Sequence, residues 1–227
     1  GPVTAVRGID LSVGDGEVVA VLGRNGAGKT TTLKSIAGLL PSSAGSIVLD
    51  GEDVTRLPAE ERVKRGLVLV PEGRGMFADL SVRENLLMGA FHRRVGRGRL
   101  GPDIDRVTER FPRLVERLDQ PAGSLSGGEQ QMLAIARGLM AEPRVLMVDE
   151  PSLGLAPIVI ELLYELLADL ARGGLTLVIV EQYVQIALGI ADRAYVLHKG
   201  VVVLDGTASH LAESPELIDA FMSTAPE

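Results

Sequence analysis

Val18 to Leu22 is an unbroken apolar run that leads straight into Gly23-Arg24-Asn25-Gly26-Ala27-Gly28-Lys29-Thr30, with helix-compatible residues from Thr31 to Leu40 behind it. Strand, glycine-rich loop and helix, in that order, are what the phosphate-binding pattern G-x-x-x-x-G-K-[ST] requires. Glycines let successive backbone N–H groups turn inward as an anion nest, and the helix N-terminus adds partial positive charge. In such a loop the lysine, here Lys29, reaches the β- and γ-phosphates, and the hydroxyl of Thr30 is a ligand for Mg2+.

Three more short apolar runs, Gly66 to Val70, Val145 to Val148 and Leu175 to Val180, are bounded by Gly, Pro or charge. Strands of a largely parallel sheet, buried on both faces, read this way. Val159, Leu163, Leu166 and Leu170 share a helical face that Pro157 is suited to start. Strands alternating with helices predict an α/β core. Arg193 to Leu197 and Val201 to Leu204, around Lys199-Gly200, predict an antiparallel hairpin.

The buried-strand signal is missing from about Ser81 to Gly138, where helical patterns cover Val82 to Ala90 and Asp103 to Leu118. This predicts a helical lobe, residues 81–138, inserted between two parts of one core, residues 1–80 and 139–227. His92 to Gly101 carries Arg93, Arg94, Arg97 and Arg99 among glycines and reads as a mobile, solvated basic loop. His92, His198 and His210 read as surface or packing residues.

The run Val145 to Val148 ends in Asp149-Glu150-Pro151. At the carboxyl end of a parallel strand beside a phosphate loop, Asp149 is placed to hold the Mg2+ shell, and Glu150 to polarise water. Leu125-Ser126-Gly127-Gly128-Glu129-Gln130-Gln131 precedes a helix-like stretch, Met132 to Met140. Serine and glycines at a helix start form a second anion-binding surface.

Together these motifs resemble the ATP-binding-cassette (ABC) family, whose signature is LSGGQ, over almost the whole chain. The resemblance implies a P-loop NTPase core of RecA-like type with antiparallel strands and a helical signature subdomain. It implies that Gly23, Arg24, Asn25, Gly26, Ala27, Gly28, Lys29, Thr30 and Thr31 hold ATP, with Mg2+ on Thr30, Asp149 and Glu72. Ser126, Gly127 and Gly128 would meet the γ-phosphate bound by a second cassette, either a copy of this chain or a sister subunit. Glu150 would be the general base. Ser152-Leu153-Gly154-Leu155 matches the segment that crosses the dimer interface, where Asp is common in place of Gly154.

Val70-Pro71-Glu72-Gly73-Arg74, Glu150-Pro151-Ser152-Leu153-Gly154-Leu155-Ala156-Pro157 and Val180-Glu181-Gln182 resemble the second ATP-binding subunit of branched-chain amino acid importers. Importers for urea or short amides use very similar cassettes. The implied partners are transmembrane permease subunits and, indirectly, a solute-binding protein. The implied location is the cytoplasmic face of the membrane, as a peripheral subunit.

Three departures qualify the match. Glu72 stands where most cassettes carry Gln, which adds negative charge beside the γ-phosphate. Gln182 replaces the switch histidine; its amide donates a hydrogen bond but carries no titrating proton. The adenine-stacking aromatic of the family would lie just before Gly1, which reads as a truncated start.

A net charge of −7 with 3% aromatics argues against a free-standing nucleic-acid binder. The absence of cysteine excludes disulfides and thiolate metal sites. No apolar run approaches the roughly 18–20 residues that cross a bilayer. A DNA-repair cassette is disfavoured because no long heptad segment splits the site. A ribosome-bound cassette would usually carry two cassettes in one chain.

Overall fold

The computed structural model describes residues 5–93 and 100–222. Its sheet has six strands: β1 (Val18–Leu22), β4 (Leu67–Val70), β5 (Val145–Asp149), β6 (Thr176–Glu181), β7 (Arg193–His198) and β8 (Val201–Thr207). They lie in the order β4-β5-β6-β1-β7-β8, all parallel except the β7/β8 hairpin. Two short strands, β2 (Val48–Leu49) and β3 (Glu52–Asp53), form a separate antiparallel pair.

The unbroken apolar run of β1 has a physical cause. Val19 and Val21 pack into one cluster with Leu33 of α1 (Lys29–Ile36), while Ala20 and Leu22 pack on the opposite face with Ala187 and Leu188 of α8 (Val184–Leu188) and Leu211 of α9 (Ala208–Glu213). A strand covered on both sides has no polar face to show.

The buried guanidinium of Arg62, on α2 (Ala59–Lys64), closes the far end of α1 by donating to the carbonyls of Ser35 (2.8 Å) and Ile36 (2.6 Å). Carbonyls at a helix end lack partners within the helix, so this donor stops the helix and anchors it. The predicted run to Leu40 therefore ends at Ile36, and Leu39 and Leu40 lie exposed beyond it.

Among the described residues between β4 and β5 every regular element is helical: α3 (Val82–Gly89), a 3-10 turn at Phe91–Arg93, α4 (Gly101–Thr108), α5 (Pro112–Val115), a 3-10 turn at Ala122–Ser124 and α6 (Gly127–Leu139). The single helix predicted from Asp103 to Leu118 is two. Pro112 forces Phe111 out of helical geometry (φ −131°, ψ 65°), and Phe111 turns into the core instead. These helices share one apolar cluster with β4, β5, β6 and α7 (Pro157–Arg172), so the lobe packs onto the sheet through a common core. The buried stripe of α7 runs Ile160, Leu163, Tyr164, Leu167 and Leu170, with predicted face residues Val159 and Leu166 at its margin.

Of the predicted basic loop, Arg94, Arg97 and Arg99 lie outside the described residues. Arg93 is not a solvated loop residue: its guanidinium pairs with Asp103 (2.9 Å) and Glu142 (3.2 Å). His92 is half-buried and its pKa is lowered, chiefly by burial; His198 is half-buried and His210 exposed. The last helix is α10 (Pro215–Met222).

Candidate functional site

Three parallel strands, β5, β6 and β1, deliver the candidate residues to one edge of the sheet. Leu22 is in register with Glu181 and Asp149 with Val180, so the loops after Leu22, Asp149 and Glu181 leave side by side. Ligands of open α/β sheets bind at such carboxyl edges.

The loop from Gly23 to Gly28 folds back on itself, with the Ala27 N–H donating to the Arg24 carbonyl (3.1 Å). Gly28 caps α1 in the left-handed region (φ 105°), and a Cβ there would stand 2.8 Å from the Ala5 carbonyl oxygen. Only glycine meets both demands. Behind the loop, the β7/β8 turn supplies support: the Gly200 N–H donates to the Ala27 carbonyl at 2.9 Å.

Lys29 is buried, and its ammonium donates to the carbonyls of Gly23 (2.8 Å) and Arg24 (3.3 Å). It also lies 3.2 Å from a carboxylate oxygen of Glu150. Glu150 itself sits at φ 46°, uncommon for a residue with a side chain and characteristic of functional turns. The backbone holds it there: its N–H donates to the Val180 carbonyl at 2.9 Å.

The Thr30 hydroxyl donates to Asp149 Oδ1 at 3.1 Å. Asp149 is 1% exposed and its pKa is raised, first by burial, against the Thr30 hydrogen bond and with help from the negative charges of Glu150 and Glu72. Among the described residues Asp149 Oδ2 has no hydrogen-bond partner. An orphaned carboxylate oxygen beside a threonine hydroxyl, at the foot of an anion nest, fits a divalent cation with its water shell. Glu72 and Gln182 are exposed on the loops after β4 and β6, the two strands that flank β5.

Ser126, Gly127 and Gly128 stand apart from this edge, at the start of α6. Ser126 and Glu129 form a reciprocal capping box: the Ser126 N–H donates to Glu129 Oε2 (2.9 Å) and the Glu129 N–H to Ser126 Oγ (3.4 Å). Arg117 pairs with the other Glu129 oxygen at 3.2 Å. The Glu129 pKa is lowered, first by the hydrogen bond from the Ser126 hydroxyl. A Cβ on Gly128 would stand 2.4 Å from a Val159 methyl carbon, and one on Gly127 3.2 Å from the Arg74 guanidinium. The signature therefore packs between α7 and the loop after β4.

Residues 6–153 match the family model described as ABC transporter. The chain belongs to that ABC transporter family.

Its relatives sharpen the placement of this ABC chain. It is 44% identical over 222 residues to the high-affinity branched-chain amino acid transport ATP-binding protein BraG of Pseudomonas aeruginosa, covering 98% of this chain and 94% of that one. It is 40% identical over 206 residues to the probable branched-chain amino acid transport ATP-binding protein LivF of Archaeoglobus fulgidus, covering 90% of this chain and 86% of that one. Among solved structures it superimposes on the ADP conformation of MJ1267, an ATP-binding cassette of an ABC transporter. The TM-score is 0.83 at 26% identity, over 95% of this chain and 91% of the other.

Two spellings of this ABC chain suit their local geometry. Glu129 replaces the final Gln of LSGGQ and completes the capping box. Gly154 replaces Asp where the backbone takes φ 70°, a conformation in which glycine carries no steric cost. Sequence reasoning missed three further contacts. Arg137 on α6 donates to the carbonyls of Gly75 (2.7 Å) and Arg74 (2.8 Å), and Arg74 donates to Gln130 (2.7 Å), so the loop carrying Glu72 is tied to the signature helix. Glu181, which the sequence reading gave no role, is fully buried at the end of β6, beneath the candidate edge. A glutamate ending an otherwise apolar strand is the available signal, since buried charge needs a reason.

Proposed function

We propose that this ABC chain is the ATP-hydrolysing subunit of a membrane importer for branched-chain or related amino acids. The observation that carries the reading is the convergence of Lys29, Thr30, Asp149 and Glu150 on one sheet edge, where Lys29 reaches Glu150 and Thr30 reaches Asp149. The choice of substrate follows from the likeness to BraG and LivF.

The amides of Gly23 to Thr31 cradle the phosphates of ATP, and Lys29 adds a full positive charge. Thr30 and Asp149 hold Mg2+, with Glu72 accepting from its water shell. Held by these residues, a divalent cation would supply charge neutralisation for the phosphates. Glu150 takes a proton from the attacking water as the bond to ADP breaks. Gln182 donates its amide hydrogen to the γ-phosphate. Positioning and charge stabilisation supply most of the acceleration.

A second cassette, identical or a sister subunit, completes each site by presenting its Ser126, Gly127 and Gly128. Permease subunits dock on the apolar cleft between α3 and the loop after β4, lined by Phe77, Met88, Phe91 and the stem of Arg137. Phe91 is 81% exposed there, which is unusual for a large apolar side chain and expected of a docking surface. No helix among the described residues is long and apolar enough to cross a membrane, and the chain joins the membrane through these subunits.

The test is co-purification and turnover. Expressed with its neighbours, the chain should retain hydrophobic multi-span partners, and the assembly should hydrolyse ATP only with Mg2+. The solute-binding protein of the same assembly should retain a branched-chain amino acid; retention of urea or a short amide instead would reassign the cargo.

A further inference from the structure

We propose that Glu181 is a positioning residue that holds the turn bearing Glu150 in register with the turn bearing Gln182. The inference rests on the proposed roles of those two residues and deepens them.

Glu181 ends β6, the strand between β5 and β1, and is 1% exposed. Its carboxylate accepts four hydrogen bonds. One oxygen takes the Ser152 N–H (3.1 Å) and the Tyr164 hydroxyl (2.9 Å); the other takes the N–H groups of Gln182 (2.9 Å) and Tyr183 (3.3 Å). Among the described residues no basic side chain pairs with it, so these neutral donors alone offset the burial of its charge. The tyrosine pays nothing back by ionising: burial first, then the Glu181 charge, raise its pKa far above the ordinary range.

The four donors come from three segments of the chain. Ser152 lies two residues beyond Glu150, in the segment that the family resemblance places across the dimer interface. Gln182 and Tyr183 begin the loop that would sense the γ-phosphate. Tyr164 anchors the carboxylate to α7. A single buried anion thus fixes the distance between base and sensor, and a shift of either turn must break a hydrogen bond to it.

The chemistry of the donors makes the role separable from mere packing. In Glu181→Gln the amide N–H2 must face one of the two donor groups. A hydroxyl can rotate to accept from it, whereas a backbone N–H cannot. The amide will therefore face Tyr164 and Ser152, keep Gln182 and Tyr183, and release Ser152. Tyr164→Phe removes one donor from the same buried carboxylate yet leaves the Ser152 N–H bond in place.

In the assembled transporter, Glu181→Gln should lower kcat about 10-fold to 100-fold, the scale of a small misplacement of a reacting group, with KM for ATP little changed. Tyr164→Phe should lower the melting temperature while kcat stays near wild type. Glu181→Asp keeps the charge and its reach to the adjacent N–H groups but loses Ser152; it should reproduce the kcat defect and decides the matter if Glu181→Gln does not fold. Wild-type kcat in both Glu181 variants, or equal kcat losses in Glu181→Gln and Tyr164→Phe, overturns the proposal. In the unmodified chain the Ser152 amide should exchange its hydrogen as slowly as those of Gln182 and Tyr183; free exchange at Ser152 overturns it without any variant. Glu150→Gln in the same assay separates the two readings, because full turnover there removes the base assignment whatever Glu181 does.

Discussion

Lys29 Nζ lies 3.2 Å from Glu150 Oε1, so the proposed phosphate-binding cation and the proposed general base are held against each other. Both side chains are largely withdrawn from solvent, at 3% and 11% exposure, and the pair is correspondingly little screened. An incoming γ-phosphate competes with Glu150 for this ammonium.

Glu150→Gln should therefore have two effects of opposite sign. Turnover should fall by about 10²-fold to 10⁴-fold, the usual contribution of a general base. ATP should bind at least as tightly as to the wild type, because Lys29 loses its competing anion and the phosphate loses a repelling charge. ATPase assays and equilibrium binding on the same preparation check both. Undiminished turnover excludes Glu150 as the base.

Asp149, the proposed Mg2+ ligand, is a buried carboxylate with an unpartnered oxygen and so costs stability. Its pKa is raised in the folded state, so the folded chain takes up this proton before the unfolded chain as pH falls. Stability from this group is fully present below the unfolded pKa and is lost as pH rises through the raised folded value. Asp149→Asn should raise the melting temperature at neutral pH by relieving about 1 kcal/mol or more of buried, unsatisfied charge. The gain over wild type should shrink as pH is lowered through the folded pKa, and Mg2+-dependent turnover should be lost. Thermal melts across pH, with ATPase assays alongside, test the pair of effects.

Gln182→Ala should lower turnover at saturating ATP by up to about 10²-fold, as removal of one transition-state donor does. Because an amide does not titrate, the wild type should show no pH limb from this position. Gln182→His should introduce one near the ordinary histidine pKa of about 6.5. Unchanged turnover of Gln182→Ala in the assembled transporter removes this residue from the mechanism.

Gly89 brings α3 close to α6: an added Cβ would lie 2.0 Å from the Arg137 carbonyl oxygen, a backbone atom that cannot turn aside. Gly89→Ala should cost about 1–3 kcal/mol through overpacking. Calorimetry should show this as a lower Tm, at about 2–4 °C per kcal/mol for a chain of this size. Met88→Ala, one position earlier on the exposed cleft, should leave Tm nearly unchanged.

What the sequence determined was local. The glycine loop, the four buried runs and the helical stretch between the second and third of them follow from periodicity and composition over neighbouring residues; the buried runs match their strands to within one residue, whereas the helix read from Met132 begins at Gly127. Where the reading slipped, one cause was local and one tertiary: Pro112 forced Phe111 out of the helix, and Arg62 of α2 closed α1 before Leu39. Only the tertiary structure decided which distant groups meet. The pairings of Lys29 with Glu150, Thr30 with Asp149 and Ser152 with Glu181 all depend on β6 lying between β5 and β1, an order set by how whole faces pack and written in no single segment.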